Sequence, residues 1–225
     1  MHIDIVSDVI CPWCFIGKRR LERALAERPG LNSDITWRPF QLNPEMPAQG
    51  MARADYLAAK FGSKAHATRV YDSIRAAGET VGIPFAFERI QRTPNTIDAH
   101  RLIRFADRAG HADALVDRLF DGYFLAGKDI GDRDTLATLA GEAGLDASEA
   151  AKFLGSSRDR AEIQADDAGA RRLGINAVPC FIFAGQYAIS GAQEPQFFFP
   201  VFDLVENGGG AGVRLKKPHQ AARRK

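Results

Sequence analysis

The hydrophobic pattern of the first forty residues changes period twice. His2 to Ser7 alternates Ile3 and Ile5 with polar neighbours and adds Val6, as a half-buried strand does. The alternation breaks at the segment Cys11-Pro12-Trp13-Cys14. Phe15, Leu21 and Leu25 then lie on one helical stripe, with Pro12 at the first helical position, where its missing N–H costs nothing. Arg28-Pro29-Gly30 stops that helix. Asp34 to Phe40 alternates again through Ile35, Trp37 and Phe40 and predicts a second strand.

From Asn43 to about Gln164 the apolar residues fall at helical spacing, in segments that tend to end at a glycine, as a C-cap does. In the segment after Pro94, Ala99, Leu102, Ile103 and Ala106 stand at i, i+3, i+4 and i+7, and Asn95 or Thr96 is the expected N-cap. Strand character returns late. After a helix at about Arg158 to Leu173, Ala177 to Phe183 is a buried-looking run, and Gly185-Gln186 turns it back into a hairpin. A short helix closes the pattern. The order predicts an α/β fold: a discontinuous domain over 1–42 and 165–207, an all-helical insertion over 43–164, and a flexible basic tail over 208–225.

Composition changes this picture little. The chain has 225 residues, 45% of them hydrophobic, and a formal net charge of +2. Six basic residues follow Glu206 (Arg214, Lys216, Lys217, Arg223, Arg224, Lys225); the rest carries 24 basic against 28 acidic residues. The fold therefore presents no nucleic-acid surface. No run of apolar residues is long enough for a bilayer, and Met1 to Asp8 lacks the features of a secretory signal, so the expected compartment is the cytoplasm. Three cysteines make no disulfide framework there.

Cys11 and Cys14 carry the chemistry. A structural zinc site needs four ligands, and only Cys180 remains, with no histidine pair at ligand spacing. A structural disulfide closing so short a loop constrains the unfolded chain little. A reactive dithiol fits better. Cys11 stands where a helix begins, and the free amides and dipole of that end favour a thiolate. Cys14, one turn on and more buried, is placed to resolve a mixed disulfide. Pro12 and Trp13 between them set the redox poise, and Trp13 offers an apolar contact. Lys18 reads as a solvated side chain. Asp8 reads as a turn or cap residue bonding backbone N–H groups, with proton acceptance during resolution as the alternative.

The segments DVICPWCFIGKRRLE, RPFQLNP, TPNTIDAHRL, GINAVPCFIF and ISGAQEPQ resemble the DsbA-family thiol oxidoreductases of the FrnE-like branch, relatives of 2-hydroxychromene-2-carboxylate isomerases and kappa-class glutathione transferases. The resemblance runs from about His2 to Glu206. It implies a thioredoxin-like fold with a large all-helical insertion and redox use of Cys11 and Cys14. It also implies a cis proline at Val178-Pro179 facing the dithiol, both residues positioning substrate, and a place for Asn95 and Thr96 over the active site. Phe40 and Leu42 are the expected floor of the cleft. His100 is expected to be a hydrogen-bonded boundary residue. Cys180 departs from the pattern, standing where an aromatic residue is usual, and is expected to be a core residue.

The function so implied is a cytoplasmic thiol–disulfide oxidoreductase or isomerase. It needs no metal, nucleotide or flavin, and glutathione enters only as a redox partner. Its partners are thiol or disulfide substrates and a cellular reductant or oxidant, with no nucleic acid and no membrane. Two other readings stay open: a glutathione-dependent isomerase or transferase of the chromene type, and a non-catalytic holdase. Direction of electron flow and oligomeric state are not written in the sequence.

Overall fold

A computed structural model describes residues 1–208; the basic tail expected beyond residue 208 lies outside the described residues. Strand β1 (His2–Ser7) is followed by helix α1 (Pro12–Ala26) and strand β2 (Asp34–Pro39). β1 and β2 pair in parallel, as a strand–helix–strand crossover requires. At the other end of the chain, β5 (Cys180–Phe183) and β6 (Tyr187–Ser190) form the expected hairpin. β5 pairs antiparallel with β1, giving one sheet in the order β2-β1-β5-β6.

That register places the site. β1 ends at Ser7, β5 begins at Cys180, and Val6 pairs with Cys180. The loop from Asp8 to Cys11 and the Val178-Pro179 peptide are thereby brought to the same end of the sheet. The strand expected from Ala177 begins three residues later, because Pro179 has no N–H for the ladder.

Between β2 and β5 the chain is mainly helical: α2 (Arg53–Phe61), α3 (Lys64–Glu79), α4 (Ile97–Asp107), α5 (Ala112–Phe120), α6 (Arg133–Glu142), α7 (Ala147–Gly155) and α8 (Arg160–Arg172). It is not all-helical. Met51–Ala52 (β3) pairs with Arg92–Thr93 (β4), and two-residue strands are too short to leave a periodic signal. The expected boundary at residue 164 falls within α8. After α5 the helix widens by one residue over Asp121–Leu125, where the Ala126 N–H bonds the Asp121 carbonyl.

Two aromatic clusters hold these parts together. Phe15 of α1 stacks on Phe120 at 4.9 Å and meets Phe85 and Phe124, so the dithiol helix is packed into the insertion. Phe181 and Phe183 of β5 meet Phe198 and Phe202, the latter on α9 (Phe199–Glu206). Arg101 ties α4 to α7. Its guanidinium is fully buried and donates to the carbonyls of Phe153, Ser156 and Arg158, satisfying the end of α7. Among the described residues no helix is long and apolar enough to cross a membrane.

Candidate active site

Cys11 is the N-cap of α1, in extended conformation, with Pro12 as the first helical residue. Its carbonyl accepts the Cys14 N–H at 3.0 Å, and its own N–H donates to the Asp8 carbonyl at 3.0 Å. The loop and the first helical turn are thus fixed by backbone bonds, and the side chain of Cys11 is left free of capping. Its thiol points across the sheet end to the Val178 carbonyl, 3.7 Å away. The Val178-Pro179 peptide is cis, as the resemblance implied. Gly17 makes this approach of helix and loop feasible. A methyl group on it would meet Pro179 Cγ at 2.8 Å and the Phe181 ring at 3.1 Å.

All three cysteines are thiols in the structure. Cys14 is fully enclosed. Burial, then the neighbouring Cys11 sulfur, push its thiol well above the ordinary range, while the Ser7 hydroxyl and the Asp8 amide act in the opposite direction. Cys180 is buried on β5 between Val6 and Ser190, and burial raises its thiol too. It is core, as expected.

A cavity of about 330 Å³ opens over Cys11. Cys11, Pro12, Trp13, Leu42 and Val178 all line it, so the dithiol segment and the late proline loop share one space. Trp13 is 38% exposed at its rim. Asn95 and Thr96 are not on its walls. Thr96 is buried, and Asn95 is engaged in holding backbone: its amide donates to the Met46 carbonyl and its oxygen accepts the Ile97 N–H. The expectation that they reach over the thiols is corrected by that use. Phe40, expected on the floor, is instead covered by the Arg171 guanidinium at 4.1 Å.

Two residues read as minor prove central to the local build. Asp8 is completely buried. It bonds backbone N–H as expected, but the N–H is that of Leu42, at 2.7 Å, and its other oxygen lies 3.4 Å from His100 Nε2. Asp8 thus ties the dithiol loop to the segment after β2, while His100 of α4, expected to be a hydrogen-bonded boundary residue, is buried beside it with no hydrogen bond at Nε2. Lys18 is not solvated. It is 2% exposed, and its ammonium meets Glu22, Asp113 and Asp117. Those three carboxylates lie within 4.8 Å of one another, and Lys18 supplies the charge that offsets them.

The opposite wall of the cavity comes from the insertion and went unread in the sequence. Arg53, Tyr56 and Lys60 stand at i, i+3 and i+7 on α2, one helical face, and that spacing was the available signal. Arg53 lies between the rings of Tyr56 and Tyr71, 5.4 Å from each centroid. Lys60 donates to the Tyr56 hydroxyl at 2.7 Å. Phe124, presented by the widened turn after α5, completes the wall.

Residues 2–200 match the model of the DSBA-like thioredoxin domain. The chain belongs to that family. At 30% identity over 200 residues it is similar to YwbO of Bacillus subtilis strain 168, spanning 88% of this chain and 94% of that one. The fold is shared with the probable DsbA oxidoreductase SCO1869 of Streptomyces coelicolor (TM-score 0.83, 32% identity, 97% of this chain and 94% of the other). The cytosolic disulfide reductase DsbM of Pseudomonas aeruginosa, solved with GSH, has the same fold at 17% identity (TM-score 0.63, 92% and 98% coverage).

Proposed function

We propose that this DsbA-family protein is a cytoplasmic thiol–disulfide oxidoreductase or isomerase working through Cys11 and Cys14. The observation that carries the reading is the Cys11 thiol, at the head of α1, 3.7 Å from the Val178 carbonyl on the wall of one cavity. The amides of the first helical turn favour the thiolate that must attack. Attack on a substrate disulfide breaks its S–S bond, forms a mixed disulfide on Cys11 and releases one substrate thiolate. Cys14 then loses its proton and displaces the second substrate sulfur, leaving an intramolecular disulfide. Two electrons pass from the dithiol to the substrate, and both thiol protons end on the products. The reverse sequence oxidises a dithiol. The backbone of Val178 offers the extended edge along which a bound segment lies.

Glutathione is a suitable redox partner, because Arg53 and Lys60 place positive charge on the cavity wall. The cytosolic neighbour solved with GSH agrees with that compartment and that partner.

The test is reduction of insulin or hydroxyethyl disulfide by the wild type, Cys11→Ser and Cys14→Ser, with the couple poised in glutathione buffers. Wild type is active, Cys11→Ser is inactive, and Cys14→Ser accumulates a mixed disulfide. Full activity in a double Cys11→Ser, Cys14→Ser variant overturns the reading. Isomerisation of a chromene substrate without any dithiol turnover overturns it in favour of the isomerase.

A further inference from the structure

The cavity over Cys11 adjoins a larger one, with two wall residues in common. A space of about 540 Å³ lies between α2 and α3, and Arg53 and Tyr71 belong to the walls of both. Its interior is apolar, formed by Ala54, Leu57, Ala58, Ala67 and the Phe87 ring. The charges at its far rim neutralise one another: Arg75 pairs with Glu88 at 3.1 Å and with Asp72 at 3.3 Å. Arg53, at the junction, is different. Its guanidinium bonds the hydroxyls of Thr93 and Tyr71 and stacks on two rings, but among the described residues it meets no carboxylate. Burial keeps the Tyr71 hydroxyl protonated well into the alkaline range, so that hydroxyl adds no negative charge. Among the described residues Lys60 likewise meets only the Tyr56 hydroxyl and ring.

Two cations that meet no carboxylate among the described residues, beside an apolar compartment, select a ligand with a carboxylate and an apolar body. The sulfur that such a ligand must reach is recessed: Cys11 is only 4% exposed. A slim molecule enters there more readily than a folded protein surface. We propose that the space between α2 and α3 is a second compartment of the substrate cleft, taking the apolar part of a carboxylate-bearing small-molecule disulfide, with Arg53 binding the carboxylate at the junction. This rests on the thiol–disulfide activity proposed above. Arg53 binds and orients; the bonds broken and formed remain those at Cys11 and Cys14.

The probe is 5,5′-dithiobis(2-nitrobenzoate), which carries an aryl ring and a carboxylate on each half. Its comparisons are 4,4′-dithiodipyridine, an uncharged aryl disulfide, and hydroxyethyl disulfide, which has neither feature. Second-order rates are measured for the reduced wild type, Arg53→Gln, Leu57→Trp and Ala58→Phe, each relative to free cysteine. The expected result is a preference of about tenfold for the acidic aryl disulfide over the uncharged one in the wild type, equivalent to one good charge-assisted contact. Arg53→Gln removes that preference. Leu57→Trp fills the compartment and slows both aryl disulfides while sparing hydroxyethyl disulfide. Ala58→Phe, at an exposed position, does the same if the Leu57 variant misfolds. Unchanged ratios in Arg53→Gln and in a folded filling variant overturn the compartment while leaving the dithiol activity in place. Failure of all three disulfides to react with the wild type overturns the activity itself.

Discussion

The Cys11 sulfur and the Val178 carbonyl oxygen lie 3.7 Å apart although 167 positions separate them in the chain. The first strand and the fifth, paired antiparallel through Val6 and Cys180, hold that approach. How closely α1 and the proline loop pack sets this distance, and the residues that control this packing are the ones to perturb.

Gly17 is the tightest of these points. Gly17→Ala forces its new methyl into Pro179 at 2.8 Å and the Phe181 ring at 3.1 Å. Overpacking of this kind costs about 1–3 kcal/mol. Thermal denaturation reads the loss, and Cys11 alkylation rates read the displaced loop. A variant with wild-type stability and wild-type alkylation shows that the helix and loop separate freely.

Cys14 makes stability depend on pH in the reduced protein. Burial, with the Cys11 sulfur beside it, raises its thiol in the fold, so the folded state holds that proton more tightly than the unfolded chain. The stabilisation is complete below the unfolded value, near 9.0, and is lost as pH rises from there toward the folded value. Denaturant titrations of the reduced protein between about pH 8 and pH 11 are expected to show this decline, and Cys14→Ala is expected to flatten it. Equal slopes in the two proteins refute the assignment to Cys14.

Lys18 is tested by Lys18→Met, which leaves Glu22, Asp113 and Asp117 facing one another. The expected loss is about 2 kcal/mol at neutral pH, below the range for a fully enclosed pair because the carboxylates are partly solvated. Acid narrows the difference. Burial tends to raise the Glu22 carboxyl, but the bonds from Lys18 and Arg19 outweigh it and hold the group below its ordinary value of 4.5. A depressed acid stabilises the fold above its unfolded value and loses that contribution as pH falls through the folded value. Wild type therefore loses more stability than Lys18→Met below about pH 4.5, measured by paired melts. A gap that widens with acid counts against the cluster.

Arg101 carries the end of α7. Arg101→Lys keeps the charge and loses the planar fork that serves the Phe153, Ser156 and Arg158 carbonyls together. With partners left unpaired in a buried site, about 2–4 kcal/mol of stability is expected to go. Calorimetry tests this, with hydrogen exchange of the α7 amides as the local measure. A melt within a degree of wild type shows that solvent replaces the fork.

The dithiol, the strand–helix–strand around it and the late hairpin were legible because local rules write them. Alternation marks β1 and β2, Pro12 marks the start of α1, and Gly185-Gln186 marks the hairpin. The cavity wall was harder. Arg53, Tyr56 and Lys60 form a readable helical face, but nothing local says that this face turns toward Cys11. The partner of Asp8, the burial of Lys18 and the role of Arg101 went unread for one reason. Each of the three is a charged residue whose partners come from distant segments (Leu42, Asp117 and Arg158), and long-range pairing has no signature at the residue itself. Asn95 or Thr96 was the expected N-cap of α4; Thr96 takes that position without a side-chain cap bond, and the Asn95 bonds to Ile97 and Met46 showed only in three dimensions.

The distance in sequence between Cys11 and Val178 has a consequence during synthesis. Both cysteines of the pair emerge from the ribosome long before the carbonyl that faces them. At a translation rate of roughly 5–20 residues per second, that interval is on the order of ten to thirty seconds. Throughout it the nascent chain displays two unprotected thiols and half a sheet, so these sulfurs meet the cell's redox chemistry before the fold that encloses them exists.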